Sequence, residues 1–316
     1  MNILDELKTG KTLVFDGAMG TMLQARGLSI GECPEEWNAS HPEVVREIHR
    51  SYFEAGCDIV ETNSFGGSRL KLARYGLGER TRELNRKAVE NARAVAAAGH
   101  YVAGSVGPTG EFIEPYGALK YEEVVAAFLE QAQALEEGGA DIICIETMSD
   151  LNETRAAIEA AKKGTNCTVF ASMTFSLGKR GYRTMMGVDP TTAARSLEEY
   201  GADIVGANCG AGPDGIAEIL KEMSGSTSKF LFAKPNAGLP RLEGDKTVYP
   251  ETPMEMADKM LPLLDIGVSI LGGCDGTTPE HLREIVRRVK VLGGCCGTTP
   301  EHLREIAAKI RRVRNS

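Results

Sequence analysis

Short apolar runs alternate with longer amphipathic stretches along the whole chain. Four of the runs share one pattern: GCDIVET (56–62), GADIICIET (139–147), GADIVGANC (201–209) and GVSILGGC (267–274). Each reads as a glycine ending a helix, an apolar strand, and polar residues gathered at the strand's C-terminal end. Their spacing is roughly twice the ~30 residues of a βαβ unit, so one more strand belongs in each gap. LVFDGA (13–18), YVAGSVGP (101–108), TVFASMTF (168–175) and FLFAKPNA (230–237) take those places. Eight strands alternating with helical segments predict an α/β fold, a (β/α)8 TIM barrel.

The helical stretches carry start and stop signals. Ser40-His41-Pro42-Glu43 reads as a capping box before EVVREIHRSYFEAG, with Val44, Ile48 and Tyr52 on one face. YEEVVAAFLEQAQALEEGG, NETRAAIEAAKKG, DPTTAARSLEEYG and TPMEMADKMLPLLDIG each begin at a cap or proline and end at glycine. Pro262 is expected to kink or end the last of them. No linker or low-complexity segment interrupts the pattern, which predicts a single domain over 1–316. Within it, 289–316 reads as a second copy of the last strand-turn-helix unit: VSILGGCDGTTPEHLREIVRRV (268–289) is followed by VKVLGGCCGTTPEHLREIAAKI (289–310).

Composition narrows the function. With 42% hydrophobic and 25% charged residues among 316, the chain has the make-up of a soluble globular protein. A net charge of −8 argues against nucleic acid or an anionic membrane as partner. The start MNILDELKTGK lacks the apolar segment of a signal peptide, and no apolar run approaches the ~20 residues of a membrane span. Eight cysteines without a secretion signal point to a reducing cytoplasm, where thiols serve metal binding or catalysis.

In a (β/α)8 barrel the chemistry sits at the C-terminal ends of the strands. Those ends are Asp16-Gly17-Ala18, Glu61-Thr62-Asn63, Ser105, Glu146-Thr147, Met173-Thr174, Asn208-Cys209, Asn236 and Cys274-Asp275. None of the five histidines is among them, which excludes a three-histidine metal site; His281 and His302 fall in helix first turns. Cys209 together with a Gly-Gly-Cys turn suggests zinc held by three sulfurs, with a fourth position open to a substrate thiol. For Cys209 alone a core role would be the simpler reading. Cys57 and Cys144 lie in apolar strands and read as core, whereas Cys33 and Cys167 carry no spacing signal. The glycine-rich turn Asp16-Gly17-Ala18 offers backbone N–H groups to a carboxylate, or is an ordinary βα turn. Glu146 suits an ammonium group, or makes a salt bridge at the barrel rim. A carboxylate cradle, an ammonium partner and a thiol-binding metal together describe an α-amino acid with a thiol side chain.

DGAMGT, ETNSFGGSRLKL, VAGSVGPTGE, IETMSD, NCGAGP, KPNAG and GGCCGTTPEH together resemble the zinc-dependent homocysteine S-methyltransferase family. The likeness runs from about residue 10 to the end and is nearest to the homocysteine-binding barrel of cobalamin-dependent methionine synthases. The paired Asn-Cys and Gly-Gly-Cys-Cys motifs are specific; the glycine turns only support them. The resemblance implies a (β/α)8 barrel, Zn2+ on three cysteines, and methylation of homocysteine to methionine. By position, Cys209 becomes the first zinc ligand and a catalytic residue, with Glu146. Asp16, Gly17, Ala18 and Glu146 become contacts of the amino acid. Asn236, near the metal on the seventh strand, would orient substrate or fill a vacant zinc position. A corrinoid protein or fused cobalamin domain, with methyltetrahydrofolate, is the implied source of methyl; S-methylmethionine and betaine are the alternative donors.

The repeat departs from the family pattern. Strand counting favours Cys274 and Asp275 in strand eight; chemistry favours Cys295 and Cys296, because only they supply two thiolates. One barrel slot cannot hold both copies. The expectation leans to Cys295 and Cys296, with Asp275 as substitute ligand if the first copy serves. Two other function classes stay open. Lys234 is a candidate Schiff-base lysine or a rim charge, and Asp275 would fit a zinc- and homocysteine-binding module without catalysis.

Overall fold

The eight apolar runs form β1 (Leu13–Val14), β2 (Ile59–Glu61), β3 (Tyr101–Val106), β4 (Ile142–Met148), β5 (Thr168–Met173), β6 (Ile204–Asn208), β7 (Phe230–Lys234) and β8 (Val268–Leu271) in a computed structural model that describes residues 2–244 and 246–291. Every neighbouring pair is parallel and the order is β1-β8-β7-β6-β5-β4-β3-β2. A parallel bridge between Phe15 and Ile59 joins β1 to β2 and closes the ring. The predicted (β/α)8 barrel is therefore the fold.

One helix expectation needs correction and a second is narrowed. The helix Pro42–Ala55 has His41 as N-cap and no capping side chain. Ser40 instead ends the short helix Trp37–Ser40, and its hydroxyl donates to the Glu36 carbonyl. The buried face accordingly runs through Val45, Ile48, His49 and Tyr52, with Val44 at its edge. Pro262 does not end its helix, which continues to Asp265; the proline falls in the last turn, where few hydrogen bonds remain to be lost. The capping box of that helix, Thr252 with Glu255, forms as the sequence suggests.

Strand periodicity divides the barrel interior into two storeys. Side chains two residues apart on a strand face the same way. Leu13, Phe15, Ile59, Ala103, Ile142, Cys144, Phe170, Ile204, Phe232 and Ile270 fill the lower storey as one buried cluster, sealed below by Ile3 and Leu7 of the helix Ile3–Lys8. Two residues further along the same strands stand Glu61, Ser105, Glu146, Ser172 and Lys234, all buried. The apolar storey thus forms the floor beneath a polar one at the C-terminal ends of the strands. The alternate positions, including Val14, Val60, Val102, Ile143, Val205 and Leu271, pack outward against the helices.

Candidate active site

A cavity of about 390 Å³ opens at the C-terminal face, within the usual range of small-molecule sites. Its lining includes Gly17, Ala18, Glu61, Ser105, Glu146, Thr147, Cys209, Lys234, Cys274 and Asp275. It holds a group of buried charges and, adjoining it through Asn208, a group of sulfurs.

The charged corner centres on Lys234, only 2% exposed, whose ammonium lies 4.7 Å from the centre of the Phe15 ring below it. Gly272 makes room for the side chain: a Cβ there would lie 2.7 Å from Phe15 Cβ and 3.3 Å from Lys234 Cγ. Lys234 Nζ donates to Glu61 in a short contact and to Glu146 Oε2 at 3.2 Å. Glu146 Oε1 accepts from Ser105 Oγ at 2.7 Å, and its Oε2 lies 3.4 Å from Asn208 Nδ2. Asp16 Oδ2 accepts the Glu61 N–H at 2.8 Å. Asp16 Oδ1 and Glu61 Oε1 are buried without a protein partner. Burial pushes the Asp16 carboxyl well above its usual range, and burial with the Glu146 charge pushes Glu61 up to about 7. Burial works to strip the proton from Lys234, but Glu146 and Glu61 outweigh it and hold the ammonium well above its ordinary value. An amine held as an ammonium between two buried glutamates is a poor nucleophile, which counts against the Schiff-base reading of Lys234. A rim charge fails, because the side chain is interior.

The sulfur corner is built by turns. Cys209 adopts a left-handed backbone (φ 56°), as does Thr147 (φ 59°), each costing about 1–2 kcal/mol for a residue with a Cβ. Hydrogen bonds hold both: Cys209 N–H donates to the Lys234 carbonyl at 3.0 Å, and Thr147 N–H to Asn208 Oδ1 at 2.7 Å. Asn208 Nδ2 returns a bond to Thr147 Oγ1 at 2.7 Å. The turn after β8 is stitched to its neighbours through Gly273 N–H to the Asp16 carbonyl, Cys274 N–H to the Pro235 carbonyl, and Asp275 N–H to Asn236 Oδ1. Beneath it, Tyr52 donates its hydroxyl towards both the Ala18 and Thr277 carbonyls. The outcome is a cluster in which one ligand atom each from Cys209, Cys274 and Asp275 lies within 4.8 Å of the others. Cys209 Sγ to Asp275 Oδ2 is 3.7 Å. Tetrahedral zinc, with bonds of about 2.3 Å to sulfur and about 2.0 Å to oxygen, sets sulfur–oxygen separations near ~3.5 Å, so the donor set fits the metal. A hydrogen bond from Cys274 draws the Cys209 thiol below its ordinary value and leaves Cys274 well above.

The remaining expected residues distribute as follows. Gly17 and Ala18 line the cavity, although the Ala18 N–H is already donated to the Thr277 carbonyl. Asp16 is not among the lining residues and lies beneath, against Glu61. Asn236 is buried beside Cys209 and Asp275. The strand-eight place belongs to the first copy of the repeat; Cys295, Cys296 and His302 lie outside the described residues. His281 bonds Thr278 and the Glu251 carbonyl at the helix start and is not among the residues lining the cavity. Cys57 and Cys144 are both core as expected, Cys144 within β4 and Cys57 just before β2. Sequence reasoning missed Tyr249, which packs against the turn after β8: a Cβ on Gly276 would lie 2.2 Å from Tyr249 Cγ. It also missed the pairing of Glu61 with Lys234, whose signal was their place two residues beyond Ile59 and Phe232.

A parallel barrel with cysteines converging at its C-terminal face defines a class, the (β/α)8 proteins with a thiol-lined site suited to a metal. Within that class, the chain belongs to the homocysteine S-methyltransferase family, whose sequence model matches residues 13–289 and again 286–310. The methionine synthase of Mycobacterium tuberculosis is 36% identical over 306 residues, 91% of this chain and 25% of that protein. That of Mycobacterium leprae is 35% identical over 297 residues, 88% of this chain and 24% of that protein. The chain thus spans about a quarter of the length of these relatives. Among solved structures, the metallated homocysteine methyltransferase MmuM of Escherichia coli superposes with a TM-score of 0.74 at 26% identity, covering 90% of this chain and 98% of that one.

Proposed function

We propose that this chain activates homocysteine as a thiolate and methylates it to methionine, with Zn2+ as the activating metal. The observation that carries the reading is the meeting, in one cavity, of Cys209, Cys274 and Asp275 with Glu146 and its charged neighbours. Cys209, Cys274 and Asp275 would hold the metal, with Asn236 beside them. Zinc bound there would lower the pKa of the substrate thiol and keep it ionised near neutral pH. Glu146 receives the substrate ammonium, and the Gly17–Ala18 turn faces its carboxylate. Held at its amino-acid end and at its sulfur, the substrate would present that sulfur to the methyl donor in a fixed orientation. A carboxylate in place of a third thiolate makes the metal harder, and so makes the substrate sulfur less electron-rich than three thiolates would.

A methylcorrinoid, supplied by a partner protein or fused cobalamin domain and recharged by methyltetrahydrofolate, is the donor favoured by the likeness to methionine synthases. A second reading, a small-molecule donor such as S-methylmethionine or betaine, is favoured by the match to nearly the whole of MmuM, a homocysteine methyltransferase of barrel size. The six described cysteines are unpaired and no described helix is long and apolar enough to cross a membrane; the free thiols suit a cytoplasmic setting. The deciding experiment measures methionine formed from homocysteine with methylcobalamin, S-methylmethionine or betaine, with and without zinc. Zinc-dependent turnover with any one donor supports the reading and names the donor; no turnover with all three, in zinc-loaded protein, defeats it.

A further inference from the structure

The carboxylate corner gathers more carboxyl groups than one lysine can pair. Asp16, Glu61 and Glu146 surround Lys234, and two of their oxygens, Asp16 Oδ1 and Glu61 Oε1, have no protein partner although buried. A buried ion needs a counter-ion, so how Lys234 divides itself between the two glutamates decides which of them is free to take a second cation. Lys234 bonds both glutamates, Glu61 and, at 3.2 Å, Glu146; what separates them is their other partners, since Glu61 Oε1 has none and Glu61 depends on the lysine. Glu146 is meanwhile held by neutral donors, Ser105 Oγ on one oxygen and Asn208 Nδ2 near the other.

We propose that Glu61 is a specificity-determining positioning residue: it engages Lys234, and so keeps Glu146 available to the ammonium group of an α-amino-acid substrate. The inference rests on the reading of this cavity as a homocysteine site and adds to it a role for the Glu61–Lys234 pair. Without Glu61 the lysine has one glutamate left, and the two ammonium groups, resident and incoming, compete for Glu146. Glu61 therefore acts through Lys234, and the pair sets selectivity for substrates bearing an amino group over analogues lacking it.

The test compares homocysteine with 4-mercaptobutyrate, the same thiol acid without the amino group, by titration calorimetry on the zinc-loaded chain. Glu61→Gln keeps the side-chain shape and leaves Lys234 paired with Glu146, so the fold has no orphaned lysine. Homocysteine affinity is expected to fall at least about 10-fold in Glu61→Gln, with the 4-mercaptobutyrate affinity unchanged within about 2-fold, a loss of order 1.4 kcal/mol confined to the amino end. The double variant Glu61→Gln/Lys234→Met removes the competitor and is expected to recover most of that loss, a non-additive rescue that a merely structural role would not give. An unchanged homocysteine-to-mercaptobutyrate ratio in Glu61→Gln overturns the proposal, as does a double variant no better than the single one. If the wild-type chain binds homocysteine no more tightly than 4-mercaptobutyrate, the underlying amino-acid reading falls, and this inference with it.

Discussion

The carboxylate corner is made by strand periodicity, the sulfur corner by turns. Glu61, Ser105, Glu146 and Lys234 each continue an inward stripe whose previous member is an apolar residue of the lower storey, so regular backbone delivers them. Cys209, Cys274 and Asp275 lie past the strand ends, and one of them requires a left-handed backbone. Regular strands give a rigid bed for charge. Turns bring donors from strands adjacent to β7 on either side to within bonding reach of one ion. If this division is sound, the corners should fail separately: damage to the sulfur side should remove metal, and damage to the carboxylate side should remove selectivity.

The largest effect is expected on the sulfur side. Cys209→Ser should strip zinc from the purified chain and lower kcat/KM for homocysteine at least about 100-fold, since even outer-shell losses at metal sites cost 10–100-fold. Metal content by atomic absorption and initial rates check both parts. Next comes Glu146→Gln, which removes a charge-assisted bond worth about 1.5–3 kcal/mol and should raise KM for homocysteine by about 10–100-fold with zinc content unchanged. Zinc loss in Glu146→Gln as severe as in Cys209→Ser would show that the corners are one cooperative unit, against the division drawn above.

A smaller effect concerns stability. Glu61 is raised from an ordinary glutamate value to about 7, burial being the first cause. The folded state therefore binds a proton more tightly than the unfolded chain. Its contribution to stability is complete below the unfolded value of about 4.5 and is lost as pH rises through about 7. Urea midpoints between pH 5 and pH 8 should decline for the wild-type chain, and the decline should be shallower in Glu61→Gln; equal slopes would show that Glu61 does not titrate in this window.

Much of this was legible from residues. The alternation of apolar runs with capped helices fixed the barrel, because each run's glycine and its terminal polar residues marked strand direction. Glu146 and Cys209 were visible as polar residues at strand ends. The Glu61–Lys234 pair was not, because strand ends seen one at a time show no angular relation between β2 and β7. Only closure of the ring, with Phe15 and Phe232 as the shared floor, sets the two side by side. Tyr249 was hidden for another reason: it reaches the turn after β8 from the end of a short hairpin, Arg241–Glu243 with Lys246–Val248, that lies outside the strand-helix alternation. The absent capping box at Ser40 is a related lesson, since a preceding short helix claimed the serine locally.

The smallest expected effect bears on the repeat. Both copies carry Gly-Gly-Cys and Gly-Thr-Thr-Pro-Glu-His, so the bonds that seat the turn, from Gly272 N–H to the Ala233 carbonyl to Tyr52 on the Thr277 carbonyl, are ones either sequence can make. What separates the copies is connection. The first follows the helix Pro253–Asp265 through Ile266 and Gly267 alone, and its own helix, Pro279–Val291, then packs so that Val286 meets Gly56. Seating the second copy would require expelling that strand and helix from the barrel, an exchange whose gain is one thiolate in place of the Asp275 carboxylate. Cys295→Ser is accordingly expected to keep zinc content and homocysteine turnover within about 2-fold of wild type, whereas Cys274→Ser is expected to lose both, as removal of one of the three proposed ligands should. The opposite result, metal lost with Cys295→Ser and kept with Cys274→Ser, would place the second copy at the sulfur corner and make the thiolate gain the stronger force.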